Sequence, residues 1–185
     1  MAIQSKEAPG ELAVVREFVN TLDIEHGGDR LATPDGLVAW LAAHDLLAAE
    51  TKARPGDVRR AALFREALRE LLLSNNDGHE VAHDAARTLD DVAARARLRL
   101  RVDDSGLARL EAEGKSVDAA LGRLLITVYR AMENDTWARL KACRSDTCRW
   151  AFYDHSKNRS GHWCSMEVCG ARHKSREYRA RHKTT

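Results

Sequence analysis

Four cysteines stand in the last quarter of the chain and nowhere else: Cys143, Cys148, Cys164 and Cys169, spaced C-x4-C-x15-C-x4-C. Two thiol pairs on either side of a short connection can close a tetrahedral metal site. A segment of about 45 residues buries too little surface to fold on a core alone and needs a metal, disulfides or a partner. The cysteines therefore fall where a staple is required. The chain has 185 residues, which allows one domain, or a body of roughly 130–140 residues plus a small module. The division expected is a helical body over 1–138, a sensor or dimerisation domain, and a cysteine module over 139–185.

Charge divides at the same place. From Arg139 onward there are 12 Lys and Arg against 4 Asp and Glu, a balance of +8; before it the counts are 18 and 24, or −6. A basic tail on an acidic body points to an anionic partner. No apolar run approaches the ~18 residues that span a membrane, and MAIQSKEAPGELAV lacks the pattern of a secretion signal. The expectation is a cytoplasmic protein without membrane contact. There thiols stay reduced, and metal is favoured over disulfide.

The body reads as helices. Leu12, Val15, Val19 and Leu22 recur at helical spacing over 10–24. Thr33-Pro34 is a cap followed by a first-turn proline. Pro55-Gly56-Asp57 opens a long helix through Ala61, Phe64, Leu68 and Leu71, closed by the run 74–78. A fourth helix places Val81, Ala85, Leu89 and Val92 inward. Residues 98–102 alternate, 103–106 read as a turn, and 107–112 return as a strand, with a short helix as the competing reading. Ser116 caps a fifth helix over 117–133. The fold class is mainly α (α+β): a helical domain with a small β-hairpin, then a treble-clef-like finger.

In the module, Arg149–Tyr153 reads as a strand, 154–161 as a turn, and His162-Trp163 as the return, with Ser165 capping a final helix to about His182. That helix carries Arg172, Arg176, Arg179 and Lys183 at spacings of 4, 3 and 4, hence on one face, with His173, Lys174 and Arg181 around it. Such a face suits phosphates, and arginine forks also read guanine edges; Lys157 and Arg159 in the turn would reach adjacent phosphates. The bland alternative is a solvated tail that complements the helix dipole. The thiols suit one structural zinc ion. An iron–sulfur cluster or redox-active thiols remain alternatives, and His155, His162 and His173 are alternative ligands. Four thiolates leave no open position for water, and no P-loop, G-x-S-x-G, H-E-x-x-H or dinucleotide fingerprint is present, so no enzyme is expected.

Asn20, Thr21 and Arg65 are polar residues inside apolar helical stretches. They are either a pocket for a small anionic effector or an interhelical hydrogen-bond set. Trp40 and Trp137 read as core aromatics, with a ligand-stacking wall as the alternative.

The C-terminal residues, Cys143-x4-Cys148 followed by FYDHSKNRSGHWCSMEVCGAR, resemble the CGNR zinc finger. Phe18-Val19-Asn20-Thr21-Leu22-Asp23 and Leu63-Phe64-Arg65-Glu66-Ala67-Leu68-Arg69 resemble the ABATE domain that precedes it. The resemblance implies a bacterial stress-responsive transcription regulator with a zinc-bound, DNA-binding C-terminus. Cys169-Gly170-Ala171-Arg172 departs from the family tetrapeptide at Ala171, where the family has Asn, so base specificity at that position does not carry over. DNA read by a homodimer is the leading expectation. The competing one is a ligand- or redox-sensing protein whose finger contacts RNA or protein.

Overall fold

The computed structural model describes residues 7–182. Thr33 caps the helix Pro34–Ala43 (α2): its hydroxyl accepts from the Gly36 amide at 3.0 Å, and Pro34 occupies the first turn, where no donor is needed. Pro55–Asp77 (α3) is opened by the Asp57 carboxylate on the Arg54 amide and closed by Gly78 in the left-handed region, φ 71°. Ser116 caps Val117–Glu133 (α5). The first helix, α1, covers Leu12–Val19.

The core lies between these four helices. Phe18 packs against Trp40 and Phe64 at ring-centroid distances of 5.3 and 5.6 Å, with Leu41, Leu68, Leu72, Leu121 and Leu124 fully buried around them. Trp40 and Trp137 belong to this core. The helix His83–Arg95 (α4) covers α3 and α5.

Three antiparallel strand pairs are attached: Leu22–Asp23 (β1) with Gly28–Asp29 (β2), Arg99–Val102 (β3) with Ala108–Glu111 (β4), and Leu140–Ala142 (β5) with Ala151–Tyr153 (β6). A final helix, Ala171–His182 (α6), follows one wide π-helical turn at Met166–Gly170.

Three expectations need correction. The first helix does not reach residue 24, because the Thr21 hydroxyl bonds the Phe18 carbonyl and the chain then turns into β1. Val81 lies exposed ahead of α4 rather than inward. The β3–β4 hairpin forms as expected, with Leu100 opposite Leu110 and with Leu100 and Val102 each 65% exposed. Finally, β6 pairs with β5 upstream, not with His162-Trp163 downstream. Leu140, Ala142, Ala151 and Tyr153 thereby join the helical core. The finger's first two strands pack against the helical body. Among the described residues no helix is long and apolar enough to cross a membrane.

Candidate metal centre and basic helix

The β5–β6 hairpin ends in the first cysteine pair. The Cys143 amide bonds the Trp150 carbonyl at 2.9 Å, and the Cys148 and Arg149 amides both reach the Ser145 carbonyl. Arg149 completes the turn at φ 53°. The second pair arrives by a different route. The Arg144 amide holds the His162 carbonyl at 3.1 Å, which brings Cys164 beside the knuckle. Ser165 caps the π-helical turn through the Val168 amide, and this turn carries Cys169 inward.

All four sulfur atoms lie within 4.8 Å of one another. Cys148–Cys164 and Cys164–Cys169 are 3.6 and 3.7 Å apart. A tetrahedron of ~2.3 Å zinc–sulfur bonds has edges of about 3.8 Å, whereas a disulfide is ~2.05 Å. The spacing is that of a shared metal, and Cys143, Cys148 and Cys169 are buried. Hydrogen bonds from Cys148, then Cys164, draw Cys143 down to about 2. The bond to Cys143 pushes Cys148 up to about 12 and Cys164 up as well, and burial raises Cys169. A divalent cation reverses this order by taking all four as thiolates. The three histidines proposed as alternative ligands bond elsewhere: His155 to the Glu7 carbonyl, His162 to Asn76, and His173 against Trp163.

Side chains of the body hold this finger by its backbone. Arg65, Arg69 and Asn76 share one face of α3. Arg69 donates to the Arg149 carbonyl at 2.8 Å and to the Val19 carbonyl at 2.8 Å. Asn76 donates to the Ala142 and His162 carbonyls, and its Oδ1 accepts from His162 Nδ1 at 2.6 Å, which fixes the proton on that nitrogen. Asn75 reaches the Trp137 and Leu140 carbonyls. Asn20 bonds both the amide and the carbonyl of Ala151. Arg65 forks onto Asp29 at 2.7 and 2.9 Å and donates to the Thr21 hydroxyl at 3.1 Å. Burial alone would raise the Asp29 pKa; the Arg65 bonds outweigh it and lower it. Asn20, Thr21 and Arg65 are buried, and each is hydrogen-bonded to protein groups.

A second buried polar unit shapes the loop between the thiol pairs. Asp154 and Lys141 are each 2% exposed and paired at 3.0 Å. Asp154 also accepts from the Ser156 amide at 3.0 Å and the Gly161 amide at 2.7 Å. Burial would raise its pKa, but the bonds from Ser156, Lys141 and Gly161 prevail and hold it well below the usual carboxylate range. Lys141 extends to the Arg159 and Gly161 carbonyls. The loop it ties down exposes Lys157 and Arg159.

The expected DNA-facing residues divide. From Lys174 to His182 every residue of α6 is exposed, with Lys174, Arg176, Arg179 and Arg181 among them. Two others face the protein. Arg172 pairs with Glu25 of the β1–β2 turn. His173 packs on Trp163, 4.8 Å between rings, and pairs with Glu177 at 3.7 Å. Lys183 lies outside the described residues. Ala171, at the family Asn position, is exposed at the start of α6.

Glu25, Asn76, Lys141 and Asp154 were missed from sequence. The available signal was a lysine between two apolar residues at Leu140-Lys141-Ala142, and an asparagine pair inside a helix.

Residues 139–182 match the model of the CGNR zinc finger, and residues 12–134 match that of ABATE, described as "putative stress-induced transcription regulator". No curated protein matches the chain significantly.

Proposed function

The chain belongs to the ABATE family and carries a CGNR zinc finger, and we propose that it is a zinc-dependent, DNA-binding transcription regulator. One zinc ion per chain, held by Cys143, Cys148, Cys164 and Cys169, fixes the root of α6. No position remains on such an ion for water or substrate, so the role assigned to it is structural and no catalysis is assigned to the chain.

The observation that carries this reading is the state of α6. A helix that is polar all round and touches little else is a poor element by itself. Its exposed length holds Lys174, Arg176, Arg179 and Arg181 against Glu177 alone. An anionic partner supplies what the fold does not. Twelve residues make ~18 Å of helix, which the major groove of duplex DNA admits. Counterion release on phosphate contact gives the affinity, with Lys157 and Arg159 adding charge from the neighbouring loop. One finger covers a footprint of only about 600–1,000 Å², so operator recognition calls for two copies on two half-sites. The body's part is to hold the finger: the groups once considered for an anionic effector, Asn20, Thr21 and Arg65, are bonded to the protein itself.

The test is selection of duplexes from a random pool by the zinc-loaded full chain. Enrichment of a short motif, repeated in two halves, is expected. Recovery of an unenriched pool, with no binding that salt removes, contradicts the proposal.

A further inference from the structure

In its first turn, helix α6 meets the rest of the protein through Arg172 and His173. Beyond that turn, all side chains from Lys174 to His182 are exposed. Two contacts with residues outside the π-helical turn and α6 flank the root, one position apart and so about 100° apart around the axis. On one side His173 lies on Trp163 of the finger. On the other, Arg172 meets Glu25 of the body. The first contact stays inside the finger. The second ties the helix to a different part of the fold.

Glu25 is itself fixed. The Asp23 carboxylate accepts from the Glu25 and His26 amides, both at 3.1 Å, and from the His26 ring at 2.8 Å, which closes the β1–β2 turn. At the other end of the hairpin, Asp29 is forked by Arg65, a buried residue of α3. A continuous run of bonded groups therefore leads from α3 through Arg65, Asp29 and the hairpin to Glu25, and from there to Arg172.

We propose that Arg172 is a positioning residue rather than a DNA contact: the body grips it through Glu25 and so sets the direction in which α6 leaves the zinc site. This rests on the DNA-binding reading for its purpose, but not for its test. An exposed ion pair contributes little to global stability. A pair at the root of an otherwise unsupported helix controls orientation instead, because a small change of angle there is carried along the whole length of α6.

Amide residual dipolar couplings of the zinc-loaded full chain measure that orientation directly. In the unaltered protein one alignment frame should fit α3 and α6 together. Glu25→Gln and Arg172→Gln should each scale the α6 couplings down relative to those of α3 and leave α3 unchanged. The two together should do no more than either alone, and the swapped pair Glu25→Arg with Arg172→Glu should restore the couplings. Unchanged α6 couplings in Glu25→Gln overturn the proposal. Duplex titration gives a second reading. A positioning residue predicts equal losses of affinity for both single variants with the salt slope intact. A phosphate contact at Arg172 predicts a slope reduced by about 0.9 for Arg172→Gln alone, which contradicts it. Failure of the unaltered protein to bind any duplex removes the DNA reading while the couplings still decide the role of Arg172.

Discussion

Asn20 and Ala151 exchange two hydrogen bonds across 131 positions of chain, Nδ2 to the carbonyl at 2.9 Å and the amide to Oδ1 at 2.7 Å. Ala151 opens β6, directly after the first thiol pair. Asn20 ends α1. The side chain acts as a missing strand would, completing the peptide's bonding where β6 meets the helical layer. Replacing it by Ala leaves a buried donor and acceptor unpaired, each at a cost of about 1–3 kcal/mol. Urea unfolding of Asn20→Ala should show a loss of about 2–6 kcal/mol. No change in midpoint would mean that water replaces both bonds.

Metal removal should be felt in the body. Leu140, Ala142, Ala151 and Tyr153 lie in the helical core and flank the knuckle that bears Cys143 and Cys148. The zinc-loaded chain should therefore melt in one transition, and a chelator should lower the midpoint of that same transition. Cys164→Ser should do likewise and lose the ion. Two transitions, with only the minor one responding to chelator, would show an independent finger.

Asp154 gives a pH signature. Its folded pKa is depressed below the ordinary value of about 3.9, so its stabilisation is complete above that value and is lost as pH falls through the folded one. Asp154→Asn leaves Lys141 buried without its counter-charge, and breaking a buried pair in this way costs about 3 kcal/mol or more at neutral pH. The gap between variant and parent in urea unfolding should be constant from pH 7 to about 5 and narrow at lower pH. A gap independent of pH down to the acid-unfolding limit would exclude this role for the carboxylate.

Gly161 is required by the same carboxylate. A Cβ there would stand 2.9 Å from Asp154 Oδ1 and Oδ2, and the bonds from Lys141, Ser156 and the Gly161 amide itself hold that group in place. Gly161→Ala should destabilise by about 1–3 kcal/mol, the range for overpacking. In combination with Asp154→Asn the cost should be smaller than the sum of the two, since both act on one site. Strict additivity in the double variant would refute the shared cause.

Local chemistry explains what the sequence disclosed and what it withheld. Thr33, Ser116 and Gly78 mark helix ends through bonds made within three or four residues, so their meaning is legible in the chain. The thiols likewise reveal themselves by spacing. The pairing of β5 with β6 does not, because the Leu140-Lys141-Ala142 alternation is only three residues long and its lysine is buried against Asp154, 13 positions away. Asn20, Thr21 and Arg65 were recognisable as unusual, but their partners Ala151 and Asp29 are remote, and sequence alone cannot separate a bonded set from a pocket. The arginine spacing identified a common face of α6. It gave no sign that Arg172, at the root of that face, would meet Glu25.

The salt dependence of duplex binding tests whether α6 meets nucleic acid through its exposed cations. With the zinc-loaded full chain, log affinity should fall linearly with log salt concentration, and Arg176→Ala and Arg179→Ala, both exposed and away from the thiols, should each reduce the slope by about 0.9. Thermal melting should confirm that both variants remain folded. Duplex affinity and slope unchanged by both substitutions together would contradict the account.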